Sequence, residues 1–280
     1  MIEKIILYEI RRAIARKKVI TLIIITFLFE IGTYVLLDYA KSTHTAARFL
    51  SSIHEYVWLI GVLLPQSFLI HFIAISISAG SMAEEYEHGT MDFLLTKPIT
   101  RLSFISGKFI GGYVLLTLMY GLMVIISLFL SFFYFGTQVY LNFLPELFGA
   151  VVFSALTFYS IAFLVGEIIR RGNIAFLVAS VILVTSVALV DVLILLSTLT
   201  RNLSYLSISM YFPTWGAEEF PYSIAINIPG AYFLVEGLSL FGGTPGSPLL
   251  SSLSIIAYSV VPIFISIYTF LHRDIPKRVF

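Results

Sequence analysis

The chain contains no cysteine. Disulfides, iron–sulfur clusters, thiolate zinc sites and a cysteine nucleophile are therefore excluded. Charge is scarce as well: Asp, Glu, Lys and Arg make up 12% of the 280 residues, against 59% apolar, where an average soluble domain has roughly 25% charged and 45–50% apolar. The net charge of +1 leaves no basic excess to attract nucleic acid. With a mean hydropathy of +0.97, a water-soluble fold of this length has no core large enough to hide its apolar side chains. Composition alone indicates an integral membrane protein.

A helical span needs about 20 mostly apolar residues. Six stretches meet this: Val19–Leu37, Val57–Ser78, Phe109–Phe135, Leu147–Ile169, Ile174–Leu199 and Leu253–Leu271. None alternates as barrel strands do, so the expected fold class is an all-α integral membrane protein with six transmembrane helices. The first span carries Glu30, which costs about 3 kcal/mol near the bilayer centre. Its Val, Ile, Leu and Phe residues offset that at roughly 0.3–0.6 kcal/mol each. With both termini inside, all but Lys41, Arg48 and Arg201 of the 17 Lys and Arg residues fall on the cytoplasmic side. The expected setting is the plasma membrane, multi-pass, with both termini cytoplasmic.

The chain reads as a single transmembrane domain, residues 1–280, with three accessory regions. Residues 1–18 place Ile2, Ile5, Ile6, Ile10, Ala13 and Ile14 at helical spacing, with Lys4, Arg11 and Arg12 off that stripe. This suits an amphipathic helix on the inner membrane surface. Residues 200–252 are broken by Pro213, Pro221, Pro229, Pro245 and Pro248. They read as an extracytoplasmic loop with broken or re-entrant helices, because an apolar stretch at 224–240 is interrupted by Pro229-Gly230 and would reverse the charge bias if it spanned.

Residues 81–108 form the cytoplasmic loop between spans 2 and 3. Glu84, Glu85 and Glu87 extend the second helix into the cytosol. Gly89 then offers a C-cap, where positive φ is cheap. Thr90 is placed to cap a new short helix with Asp92 in its first turn, and Pro98 stops it. The short helix presents Met91, Phe93, Leu94 and Leu95, an apolar knob outside the membrane that needs a cover. Two covers are open: the protein's own amphipathic N-terminus, or a socket on a soluble partner. Glu84, Glu85 and Glu87 have Arg101 and Lys108 as candidate ion-pair partners, with a solvated helix face as the plainer alternative.

This loop resembles the signature of type-2 ABC exporter permeases through Glu85, Glu87, Gly89, Thr90, Leu94, Leu95, Pro98, Ile99, Arg101, Gly107 and Lys108. The ending Phe270-Leu-His-Arg-Asp274 is similar to the family's as well. The resemblance implies a permease without an ATPase of its own, pairing with a second permease copy or paralogue and with ABC ATP-binding subunits. ATP and Mg would sit on that partner, with no cofactor in this chain. The short helix would be the coupling helix, and closure of the ATPases would move the spans as rigid bodies. Gly107-Lys108 is no P-loop, since Leu102 stands where its first glycine belongs and Phe109 follows the lysine.

Glu30, His71 and Asp191 are ionisable groups inside expected spans, which default to functional hypotheses. A Glu30–His71 pair facing the cavity is one reading, and a structural hydrogen bond or a protonated Glu30 is the other. The same three residues support a rival function, a proton-coupled secondary transporter. A membrane-embedded transferase is a further alternative, although no H-E-x-x-H or G-x-S-x-G motif occurs and no catalytic or metal-binding residue is assigned. Nothing in the residues identifies the cargo.

Overall fold

A computed structural model describes residues 2–15, 17–91, 99–238 and 246–272. The described residues form helices and turns, with no strand among them. In chain order the helices are α1 (Ile2–Ala15), α2 (Lys17–Ala40), α3 (His44–Ile53), α4 (Trp58–Leu63), α5 (Leu69–Glu87) and α6 (Arg101–Phe135). They continue as α7 (Leu144–Ile169), α8 (Gly172–Thr200), α9 (Ser204–Ser209), α10 (Pro213–Ala225), α11 (Tyr232–Leu238) and α12 (Pro248–His272).

Among the described residues, five helical segments are long and apolar enough to cross a membrane: Val19–Ala40, Arg101–Phe135, Leu141–Ile169, Gly172–Thr200 and Pro248–His272. A bent pair, Ala47–Tyr56 and Trp58–Ser67, meeting at 77°, brings the number to six when counted as one span. The expected second span, Val57–Ser78, is not one continuous helix. It breaks at Phe68 (φ −151°, ψ −49°), just after a 3-10 turn over Pro65–Ser67. Pro65 lacks an amide hydrogen and its ring opposes the preceding turn, so α4 stops and α5 starts afresh. The stretch 224–240 is likewise discontinuous, as α10 ends at Ala225 and Gly230 turns the chain at φ +80°.

Helix α7 is central. Over half of its apolar window, 56%, is buried within the chain, compared with 22% for α8. It packs most extensively on α5 and α12. The buried face of α12 runs Ser251, Ile255, Ser259, Pro262, Ser266 and Phe270. Small side chains at one-turn intervals let helix backbones approach where no hydrophobic force separates protein from lipid. The α5–α7 contact is equally close, since a Cβ on Gly166 would lie 2.5 Å from the Ala79 carbonyl oxygen.

Candidate functional site: the helix junction at Lys108

Helix α1 lies against α6 because two glycines open a groove for it. A Cβ on Gly107 would meet the Ile5 side chain at 2.8 Å, and one on Gly111 would meet the Ile6 backbone at 3.2 Å. This seating buries Ile5 and Glu9. It also aligns Glu9 with Lys108, the residue after the first glycine.

Lys108 is fully buried. Its Nζ donates to Glu9 Oε2 at 2.6 Å and to Glu85 Oε1 at 2.5 Å. Arg12 adds the second cation, contacting Glu85 directly and reaching Glu84 at 3.1 Å and Glu9 at 3.7 Å. Ser81 donates to the other Glu9 oxygen at 2.9 Å. Three carboxylates and two cations thus join α1, α5 and α6 in one network. A buried ammonium costs several kcal/mol to desolvate, and here two carboxylates offset it.

The network extends past the end of α5. Gly89 turns the chain at φ +67°, and the Thr90 hydroxyl donates to the Glu85 carboxylate. Thr90 therefore reports to Glu85. Its expected capping partners lie outside the described residues, as do Asp92, Phe93, Leu94, Leu95 and Pro98 of the expected coupling helix.

Met91 departs from expectation. It is 2% exposed, in a cluster with Met82, Phe104, Ile105, Phe163 and Phe270. Met91 is thus anchored within the chain instead of belonging to an exposed knob. The side chains covering it come from α5, α6, α7 and α12, not from α1. Phe270 stacks on Phe104 at 5.9 Å, and Arg101 donates to the Leu271 carbonyl at 3.3 Å. Phe270 and Leu271 of the C-terminal signature therefore meet the start of α6.

The remaining end of α5 binds α7 and α8. Glu87 accepts from the Gly172 amide at 3.1 Å, satisfying a free N–H at the start of α8. Tyr86 donates to both Glu167 oxygens at 2.9 and 3.0 Å, while the Arg170 guanidinium lies 4.4 Å over the Tyr86 ring. Every carboxylate of the 84–87 segment is engaged, and α5 is the hub.

The three expected intramembrane groups are not brought together. Glu30 is completely buried on α2, one turn before Tyr34, whose hydroxyl pairs with Ser127 at 2.8 Å. Among the described residues neither Glu30 oxygen has a hydrogen-bond partner, nor does either nitrogen of the buried His71, so the expected Glu30–His71 pair is absent. His71 instead lies against the Phe158 ring, centroids 5.2 Å apart. Asp191 is exposed on α8.

Glu9, Arg12 and Ser81 were not singled out as network members from the sequence. Glu9 sits between the residues of the α1 stripe, and its polarity argues for water. The one usable signal was Gly107 and Gly111, a G-x-x-x-G spacing that marks a close helix approach without naming the helix.

Comparison with known proteins agrees with this layout. The family described as ABC-2 family transporter protein matches over residues 4–275. No curated protein matches the chain.

Proposed function

The chain belongs to the ABC-2 transporter family, and from that premise we propose that it is the permease subunit of an ATP-driven exporter. It is a transport subunit in a multi-pass membrane protein architecture, and membership implies association with an ABC ATP-binding subunit. In this reading two permeases, identical or paralogous, form the pathway in the plasma membrane, with both termini cytoplasmic. ATP and Mg bind the partner subunits.

The observation that carries the reading is the junction at Lys108. A force applied to the loop after Gly89 reaches Glu85 through Thr90. From Glu85 it passes to α6 through Lys108 and to α1 through Arg12. The same helix holds α8 through Glu87. Docking of an ATPase on residues 92–98 would therefore move α1, α5, α6 and α8 together, as a rigid-body transition requires. The roles expected for Asp92, Phe93, Leu94 and Leu95 are those of the docking helix itself. The proton-coupled alternative lacks support of this kind, because Glu30 and His71 make no hydrogen bond to each other.

The test uses the cysteine-free background. Met91 is buried and unsuitable as a probe, so a single cysteine replaces Leu94 and is cross-linked in native membranes. Capture of an ATP-binding protein, identified by mass spectrometry, is the expected result. Free labelling by a soluble thiol reagent with no ATPase captured overturns the assignment.

A further inference from the structure

Helix α10 reaches deep into the bundle. Its Ala217 packs in a cluster with Ile75, Phe158 and Leu183. Each of those residues lies three helical turns from the cytoplasmic end of its own helix. At 1.5 Å per residue that is about 17 Å, close to the middle of a roughly 30 Å hydrocarbon core. The Ser186–Thr214 hydrogen bond, 2.6 Å, fixes the start of α10 to the mid-part of α8.

Glu218 follows Ala217 and is 1% exposed. Its Oε1 has no hydrogen-bond partner among the described residues. Gln66, fully buried at the break between α4 and α5, donates its Nε2 to the Ala217 carbonyl at 2.9 Å and reaches the Glu218 carbonyl at 3.5 Å. Two carbonyl acceptors fix the orientation of that amide. The Gln66 Oε1 is left without a donor. The indole N–H of Trp215, one turn earlier, bonds to neither oxygen.

The surroundings supply no compensating cation among the described residues. Asp191 on α8 acts on Glu218 as a like charge. Glu219 follows it on the same helix, and Tyr222 is bonded to Ser67 at 3.1 Å. Helix α7 presents Phe153 to Phe220, and α12 presents Ser254 to Gly216. An unpaired carboxylate here would cost several kcal/mol. Glu218 Oε1 and Gln66 Oε1 are both buried without donors, on residues linked through the Gln66 amide and the 217–218 backbone, and the charge that acts on Glu218 among the described residues is the negative Asp191.

We propose that Glu218 and Gln66 form a site for a single positive charge, a proton or an alkali-metal cation, deep in the bundle. This goes beyond the coupling role, although any part in a transport cycle rests on the permease reading. The site joins the two ends of one helix: Gln66 lies at the break where α5 begins, and Glu85 anchors its cytoplasmic end. Binding at Glu218 neutralises the carboxyl and leaves the Gln66 clamp on α10 intact.

The experiment takes the full-length chain in lipid nanodiscs without any ATPase, so its outcome is independent of the Leu94 cross-link. Unfolding midpoints are read by intrinsic fluorescence in choline chloride from pH 8.5 to 5.5. A second series at pH 8.5 replaces choline with potassium or sodium at constant ionic strength. A rise of about 2–4 °C is expected in one series: the first identifies a proton, the second an alkali cation. With Glu30, the other buried carboxyl lacking a partner, replaced by Gln throughout, Glu218→Gln should lose the response. Asp191→Asn should keep it at lower affinity, and Gln66→Leu should remove an alkali response but spare a proton response. If Glu218→Gln does not fold, Glu218→Asp carries the test and should retain a shifted response. A wild-type response in Glu218→Gln, or in the Gln and Asp variants alike, overturns the proposal. So does the absence of any response in the wild-type chain.

Discussion

The two ends of α5 handle buried charge in opposite ways. At its C-terminal end, Glu85, Glu9, Arg12 and Lys108 neutralise one another over short contacts. In the bundle interior, Glu30, His71 and Glu218 present polar atoms with no partner. The difference separates two uses of charge. Mutual pairing locks helices into one arrangement, because breaking any pair strands its neighbour. An unpaired group leaves the arrangement conditional on something supplied from outside, whether proton, ion or water.

The largest effect is expected from breaking the paired end. Lys108→Met leaves the buried Glu9 and Glu85 with Arg12 as the remaining cation of the network and should cost about 3–5 kcal/mol, read as a fall in the unfolding midpoint. Adding Glu9→Gln should recover part of that loss. A Lys108→Met protein as stable as wild type would show that the junction holds nothing together.

Gly111→Leu should act next, at about 1–3 kcal/mol, by driving bulk into the groove that seats α1. Limited proteolysis within residues 2–15 should accelerate in that variant, and unchanged protection would mean that α1 docks elsewhere. Leu94→Asp sharpens the comparison differently. It should abolish export and release ATPase activity from control, with the midpoint unchanged. Normal export in that variant would remove the coupling role from this loop.

The smallest effect is expected in the unpaired interior. Glu30→Gln keeps the shape and a polar amide, so its stability should stay within about 0.5 kcal/mol of wild type. A loss comparable to that of Lys108→Met would reveal an ionised Glu30 with a charged partner.

How far these features were legible follows from the distance over which each is decided. Five of the six expected spans correspond to continuous helices, because insertion depends on the local run of apolar residues. The second was misread, since Pro65 and Gln66 look tolerable within an apolar run. The break is stabilised by the Gln66 contact with Ala217, 151 residues away. Glu85 with Lys108 was foreseeable across one loop, whereas Glu9 with Lys108 spans 99 residues. Glu218 was hidden by its address in a proline-rich segment expected to be an outer loop, where depth cannot be read from hydropathy.

Sequence by itself determined the membrane setting, the helical class, the charge bias and the coupling-loop signature. Each rests on local composition or on a few adjacent side chains. Tertiary structure alone decided that Met91 is buried, that α1 sits in the Gly107–Gly111 groove, and that Glu218 is buried with its Oε1 left without a donor. Burial and charge pairing are properties of neighbours brought together by folding, and a linear order of residues does not specify them.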